Sequence, residues 1–267
     1  MTVGYGGTLK RRIHSGQVLV GTSIVGSRSP FVVEVFKMAG FDFIIIDREH
    51  SVLTTETAAD LITVARHVGI PVLVRVPDYS YHELNPLLDQ GVHGIVLPRV
   101  RTRDEVEDVL RRIRYFPLGH RGLAGSTTPL AGYDGHAASR NGFTDQVNQE
   151  TVVCLQIETR EAMENLDEIL SVYGVDVALV GPDDLALNLG ILGQKAHPTF
   201  IQAVQEVIAT ANRYGVAPGI ALGDMEGALT WRNEGVKVVW YSCDIGMLIQ
   251  HGSGAVRELK GARKVDS

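Results

Sequence analysis

Eight short apolar runs, each followed by a longer amphipathic stretch, predict an α/β chain folded as a (β/α)8 TIM barrel. Two further observations point the same way. The strand-like runs are continuously apolar and β-branched rather than alternating, as strands covered on both faces are. The 267 residues match the size of one such barrel, and no linker or internal repeat divides them. The chain is therefore read as one domain, residues 1–267, with a short N-terminal extension. A doubly wound open sheet is the other arrangement that alternating strands and helices allow.

The elements follow in order. The first run, 18–22, "VLVGT", precedes a helix over 30–39 that Ser29-Pro30 opens. The second run, 43–47, "FIIID", leads to an amphipathic stretch over 54–67, and the third, 71–76, to one over 81–89. Strand four spans 94–100, and Thr102 with Glu105 then forms a capping box for a helix over 102–113. Strands five and six, 152–159 and 175–181, flank a helix over 160–170. A long helical period over 198–214 precedes strand seven, 216–222, and a shorter one over 224–233 precedes strand eight, 237–242. The last helix runs 245–259. One segment breaks the rhythm: 119–142 is rich in Gly, Ser and Thr, has no helical period, and reads as a functional loop over the barrel mouth.

Bulk properties exclude several classes of function. A net charge of −6 argues against general affinity for nucleic acid or anionic membranes. No stretch approaches the roughly 20 apolar residues of a membrane span, and the N-terminus lacks a signal-peptide core. The two cysteines, Cys154 and Cys243, lie in strand-like runs and read as reduced residues of a cytoplasmic protein.

Barrels of this kind carry their chemistry at the C-terminal ends of the strands. Strand two ends on Asp47, Glu49 and His50, strand three on Arg75, strand five on Gln156 and Glu158, and strand six on Gly181, Pro182, Asp183 and Asp184. Taken singly, each has a structural reading. Arg75 suits an ion pair, His50 a satisfied loop histidine, Glu158 the first turn of a helix, and Asp183 or Asp184 an N-cap. Taken together, they converge on one shared site. Two carboxylates on neighbouring strand ends, Glu158 and Asp184, with no Cys or paired His beside them, describe a hard divalent cation such as Mg2+ or Mn2+. A 2-oxo acid chelates such a cation through its carboxylate and keto oxygens, and the cation stabilises the enolate formed on carbon–carbon cleavage. Arg75 adds a second positive group at that oxygen. The N–H groups after Pro182, at a helix start, suit the substrate carboxylate. No lysine ends a strand in this set, so a Schiff-base route has no evident nucleophile.

The motifs "IDREH", "LVRVP", "LLDQGVHGIVLP", "LQIETREAMENLDEIL" and "LVGPDDLALNLG", in this order and spacing, resemble the HpcH/HpaI aldolases, metal-dependent class II pyruvate aldolases, over roughly residues 21–250. The resemblance implies that Glu158 and Asp184 bind the metal, with Mg2+, Mn2+ or Co2+ as candidates. It also implies that Gln156, Asp183 (through its backbone) and Asp184 contact substrate, that Arg75 stabilises the enolate, and that His50 is the general acid/base. Asp89 of "LLDQG" matches the position held to raise that histidine's basicity, whereas spacing alone favours Asp47. Asp47 and Glu49 are alternatively holders of metal-bound water. A homohexamer whose last helix packs on a neighbour is implied as well.

Three departures bear on substrate choice. Arg48 and Asp183 stand where the family has small residues, and 123–141 does not follow the family's pattern. The resulting expectation is a lyase that cleaves a 4-hydroxy-2-oxo acid to pyruvate, or a hydroxypyruvate-like 2-oxo acid, and an aldehyde. The rival readings are an acyl-CoA lyase of the citramalyl-CoA or malyl-CoA type and a non-catalytic barrel scaffold.

Overall fold

The computed structural model describes residues 7–134, 136 and 142–261. Eight parallel strands close in sequential order, with β1 (Leu19–Ile24) hydrogen-bonded to both β2 (Phe43–Asp47) and β8 (Val238–Cys243). Between these lie β3 (Val72–Arg75), β4 (Gly94–Leu97), β5 (Val152–Ile157), β6 (Val177–Val180) and β7 (Ala217–Leu222). Closure rules out the open doubly wound sheet.

The outer helices are α2 (Phe31–Met38), α3 (Thr55–Val68), α4 (Tyr81–Asp89), α5 (Arg103–Ile113), α7 (Arg160–Glu164), α8 (Leu166–Leu170), α9 (Pro182–Asn188), α10 (Pro198–Arg213), α11 (Met225–Asn233) and α12 (Asp244–Leu259). Thr54, Thr102 and Thr159 each cap a helix by accepting a backbone N–H three residues on. The single helix expected over 160–170 is divided at Asn165, whose backbone leaves the helical region.

Two elements escaped the sequence. The N-terminal extension is α1 (Gly7–His14), and it closes the bottom of the barrel. Its Leu9 and Ile13 are buried among the inward residues Phe43, Ile45, Leu73, Val96 and Leu179. Lys10 and His14 both reach Asp176, at 3.0 and 2.8 Å, and Arg12 pairs with Asp42 at 2.5 Å. Those acids precede β6 and β2, so they fasten the plug at the end opposite the strand termini that carry chemistry.

The second is α6 (Phe143–Glu150), which directly follows the segment read as irregular and which no expected helix covers. The segment 119–134 that leads toward it does not cover the mouth. Being an α-to-β connection, it starts at the far end of the barrel: Arg121 N–H donates to the Arg114 carbonyl, and Leu130 N–H to the Asp89 carbonyl. Residues 135 and 137–141 of that segment fall outside the described set.

His93, just before β4, is a buried titratable group outside the mouth. Its Nδ1 accepts the Val72 N–H at 3.2 Å. Burial, helped by nearby Arg66, pushes its pKa down to about 4. The unfolded chain therefore takes up a proton near pH 6.5 that the folded chain refuses until about pH 4. The stability His93 contributes is complete above pH 6.5 and declines as pH falls toward 4, by about 3 kcal/mol in all. Urea midpoints measured across that window are expected to fall less steeply in His93→Asn than in the parent. Equal slopes would place the acid sensitivity elsewhere.

Candidate active site

Parallel register sets Asp47 directly opposite Arg75 at the ends of β2 and β3. The guanidinium grips the carboxylate with both edges of its fork: Nε donates to Asp47 Oδ1 at 3.0 Å and Nη2 to Oδ2 at 2.5 Å. The third nitrogen, Nη1, lies 3.3 Å from Glu49 Oε2, and the guanidinium carbon sits 4.9 Å from the centre of the Trp240 ring on β8. Asp47 Oδ1 also accepts the backbone N–H groups of Glu49 and His50, at 3.0 and 3.2 Å. A buried ion pair stays charged only when its remaining hydrogen-bonding capacity is met, and here the fork, the two N–H groups and the indole face meet it. Arg75 is thus held rigidly in the floor of the mouth.

Glu49 is shared between Arg75 and Arg99, whose Nε lies 3.2 Å from Oε1. Burial pushes its pKa up, while Arg75, His50 and Arg99 pull it back. Asp47 and Glu49 thus face arginines, while Glu49 Oε2 is buried with no hydrogen-bond partner and keeps an acceptor for a water. Arg48 turns away from the mouth and pairs with Glu83 at 2.5 Å, which removes it from contact with a substrate carboxylate.

The acids on the other side come from β5 and β6. Glu158 is almost fully buried; its Oε1 accepts the Arg99 backbone N–H at 2.8 Å, and its Oε2 accepts from the Gln156 side-chain amide. Arg99 presents that N–H from a left-handed backbone with φ +53°, a conformation supported by the Tyr79 hydroxyl donating to the preceding Pro98 carbonyl. The sequence predicts a strand over 94–100, through this residue; β4 instead stops at Leu97 and the turn supplies a donor. Gly181 makes room for the arrangement, because a Cβ there would stand 2.1 Å from Glu158 Oε2. Burial raises the Glu158 pKa to about 7; the two hydrogen bonds oppose that rise and the Asp184 and Glu49 charges add to it.

Asp183 and Asp184 lie in the first turn of α9, where helix N–H groups lack intrahelical partners. Neither is the N-cap: Gly181 holds that position without a side-chain bond. His50, Asp47, Arg75, Gln156, Asp183 and Asp184 all line one cavity of about 410 Å3, so six of the predicted residues meet as expected. Glu158 lies beside it, against Gly181 and Gln156. The ring of His50 is exposed, and its nearest carboxylate is Glu49, at 3.8 Å. Asp89 is not brought to His50 within one chain. Its two oxygens are taken by Arg121, at 2.6 Å, and by the Asn85 amide, at 3.1 Å, below the end of α4. Nor does Asp47 reach the ring; it takes the backbone N–H of His50 instead.

Among the described residues, no group of three or more His, Cys, Asp or Glu side chains is arranged to hold a metal. The mouth offers the pair Glu158 and Asp184. A two-carboxylate set fits Mg2+ or Mn2+, which keep several waters and accept chelating substrate atoms, better than it fits Zn2+. Gln156 Oε1 is buried with no hydrogen-bond partner and fits such a site as an acceptor for a bound water or ligand. A nearby cation also favours the ionised form that burial alone disfavours in Glu158.

A family model described as HpcH/HpaI aldolase/citrate lyase matches residues 24–251, most of the chain. The chain belongs to that family. Among similar proteins, the hydroxypyruvate/pyruvate aldolase of Roseobacter denitrificans is 28% identical, across 95% of this chain and 97% of its own. The 4-hydroxy-2-oxo-heptane-1,7-dioate aldolase of Escherichia coli is 31% identical across 90% of each chain. A solved HpcH/HpaI aldolase from Desulfitobacterium hafniense superposes with a TM-score of 0.86 at 29% identity, covering 97% of this chain and 99% of that one. The family match extends from the last residue of β1 into α12, so it spans the strands from β2 to β8 and the residues that end them. The plug helix α1 precedes it.

Trp240, Arg99, Tyr79 and Lys195 are site neighbours that sequence reading did not single out. Trp240 sits in a run read simply as a strand. Arg99 and Tyr79 act through a turn whose backbone angle no composition signal announces. Lys195 lies in the irregular connection before α10.

Proposed function

We propose that this HpcH/HpaI family member is a divalent-metal-dependent carbon–carbon lyase that reversibly cleaves a 4-hydroxy-2-oxo acid to pyruvate, or a hydroxypyruvate-like 2-oxo acid, and an aldehyde. The observation that carries the reading is the pairing of a locked Arg75 with the Glu158 and Asp184 carboxylates across one mouth. The names of the similar aldolases support it.

A cation held by Glu158 and Asp184 supplies positive charge that polarises the keto group and favours its enolate. The protein's own groups do the rest. The N–H groups of Asp183 and Asp184 at the start of α9 and the amide of Gln156 seat the 2-oxo acid. His50 takes the proton from the C4 hydroxyl as the C3–C4 bond breaks; the aldehyde leaves, and Arg75 faces the enolate oxygen. Because Asp47 and Glu49 already hold the guanidinium in place, no reorganisation is needed as the charge develops. Return of a proton to C3 from the His50 imidazolium completes pyruvate and restores the neutral ring. Asp89 has no part in this scheme within a single chain.

An acyl-CoA substrate would need cationic side chains to spare for its nucleotide. The cations lining the cavity, Arg75 and Lys195, are each paired with a carboxylate. The reading includes a cytoplasmic homohexamer. No described helix is long and apolar enough to cross a membrane. Leu248, Ile249, Val256 and Leu259 leave an apolar face of α12 exposed, an area suited to a second copy. A light-scattering mass equal to one chain would count against the assembly.

The test of the chemistry is metal removal. Cleavage activity is expected to vanish after exhaustive EDTA treatment and dialysis, and to return on addition of Mg2+, Mn2+ or Co2+. Full activity in the stripped enzyme would defeat the proposal.

A further inference from the structure

The mouth cavity, about 410 Å3, is larger than a three-carbon 2-oxo acid requires, and the part beyond Arg75 and Gln156 is left for the aldehyde. Two cations line it. Arg75 gives Nε and Nη2 to Asp47 and has Nη1 3.3 Å from Glu49 Oε2, and the proposed chemistry uses its remaining donors. Lys195, in the connection between α9 and α10, has its Nζ 2.9 Å from Asp183 Oδ1.

This second pair differs in character from the first. Both partners are solvated, with the Lys195 side chain 38% exposed and that of Asp183 78% exposed, so the contact is readily shared with a ligand. An ammonium has three N–H donors and Asp183 engages one of them; the carboxylate likewise keeps acceptor sites free. Donor and acceptor therefore stand side by side at the rim. The side chains around them carry more negative charge than positive. Asp47, Asp183 and Asp184 line the cavity against Arg75 and Lys195, with the carboxylates of Glu49 and Glu158 just beneath.

We infer that Lys195 and Asp183 form the specificity element for the aldehyde, reading a hydroxyl group on an uncharged hydroxyaldehyde and discriminating against aldehydes that end in a carboxylate. A hydroxyl both donates and accepts, so one such group satisfies Asp183 and Lys195 together. A terminal carboxylate can accept from Lys195 but offers Asp183 no donor, and it then stands beside that like charge. This inference rests on the aldolase reading and assigns that site's acceptor class.

The experiment measures addition of pyruvate, with Mn2+ present, to three aldehydes: glyceraldehyde, propanal and 4-oxobutanoate. The parent enzyme is expected to show a kcat/KM for glyceraldehyde at least about tenfold above that for 4-oxobutanoate. In Lys195→Ala the glyceraldehyde-to-propanal ratio is expected to drop about tenfold, the usual effect of losing a hydrogen bond to a charged group. The change should appear in the aldehyde KM rather than in the pyruvate KM. Asp183→Asn, which removes the repelling charge, is expected to move the preference toward 4-oxobutanoate. An unchanged glyceraldehyde-to-propanal ratio in Lys195→Ala, or a parent enzyme that favours 4-oxobutanoate, overturns the inference while leaving the aldolase reading intact. Failure to add pyruvate to any of the three overturns both.

Discussion

Arg75→Ala is expected to lower kcat by about 10²–10³, the cost of removing a preorganised donor from a developing oxyanion. The same substitution strands the buried Asp47 without its cation and leaves Glu49 with Arg99 alone. Breaking a buried pair in this way costs about 3–5 kcal/mol of stability. The two consequences must be separated, and Arg75→Lys separates them. Lysine returns a charge to the two acids but lacks the planar fork that takes Asp47 through Nε and Nη2 while turning Nη1 toward Glu49. Thermal stability is therefore expected to recover further than kcat does. If a folded Arg75→Ala enzyme turned over at nearly the parental rate, Arg75 would have no role in the chemistry.

The second large effect is expected at Glu158. Its carboxylate accepts from the Arg99 N–H and the Gln156 amide, and burial raises its pKa to about 7. In the cation-free protein, ionising it costs stability as pH rises from its unfolded value near 4.5 to about 7, because only the unfolded chain releases that proton early. Glu158→Gln removes that cost but turns an amide N–H toward one of the two donors, so these effects oppose and the cation-free fold is expected to persist. Cation binding is expected to suffer far more. Loss of a direct ligand should weaken Mn2+ affinity by more than the 10–100-fold typical of an outer partner, and activity should fall with it. Calorimetric titration with Mn2+ decides the matter, since it reads binding without turnover. Parental Mn2+ affinity in Glu158→Gln would remove this residue from the metal site.

Much of this was legible in the sequence. Burial on both faces forces continuous apolar runs, and a closed ring of such strands needs a helix after each, so the period of the chain announces the barrel. Residues that end those runs stand at one rim by topology alone. That is why the sequence places His50, Arg75, Gln156, Asp183 and Asp184 together, with Glu158 alongside. What local pattern does not carry are contacts between residues far apart in the chain. The segment 119–142 reads as a loop over the mouth because it is long and polar, but a connection that follows a helix begins at the opposite end of the barrel. The extension before β1 carried no sign that Leu9 and Ile13 complete the interior.

The sequence by itself determined the barrel and the set of groups at its mouth, because strand period and strand order are local properties that pass directly into topology. Only the tertiary structure decided how those groups are paired. Asp47 belongs to Arg75 and to the backbone of His50 rather than to its ring, Asp89 belongs to Arg121, and Lys195 meets Asp183. The physical reason is that an ionised group in a partly buried place takes whichever opposite charge or N–H packing brings within about 3 Å, and that distance is set by the whole fold rather than by neighbours in sequence.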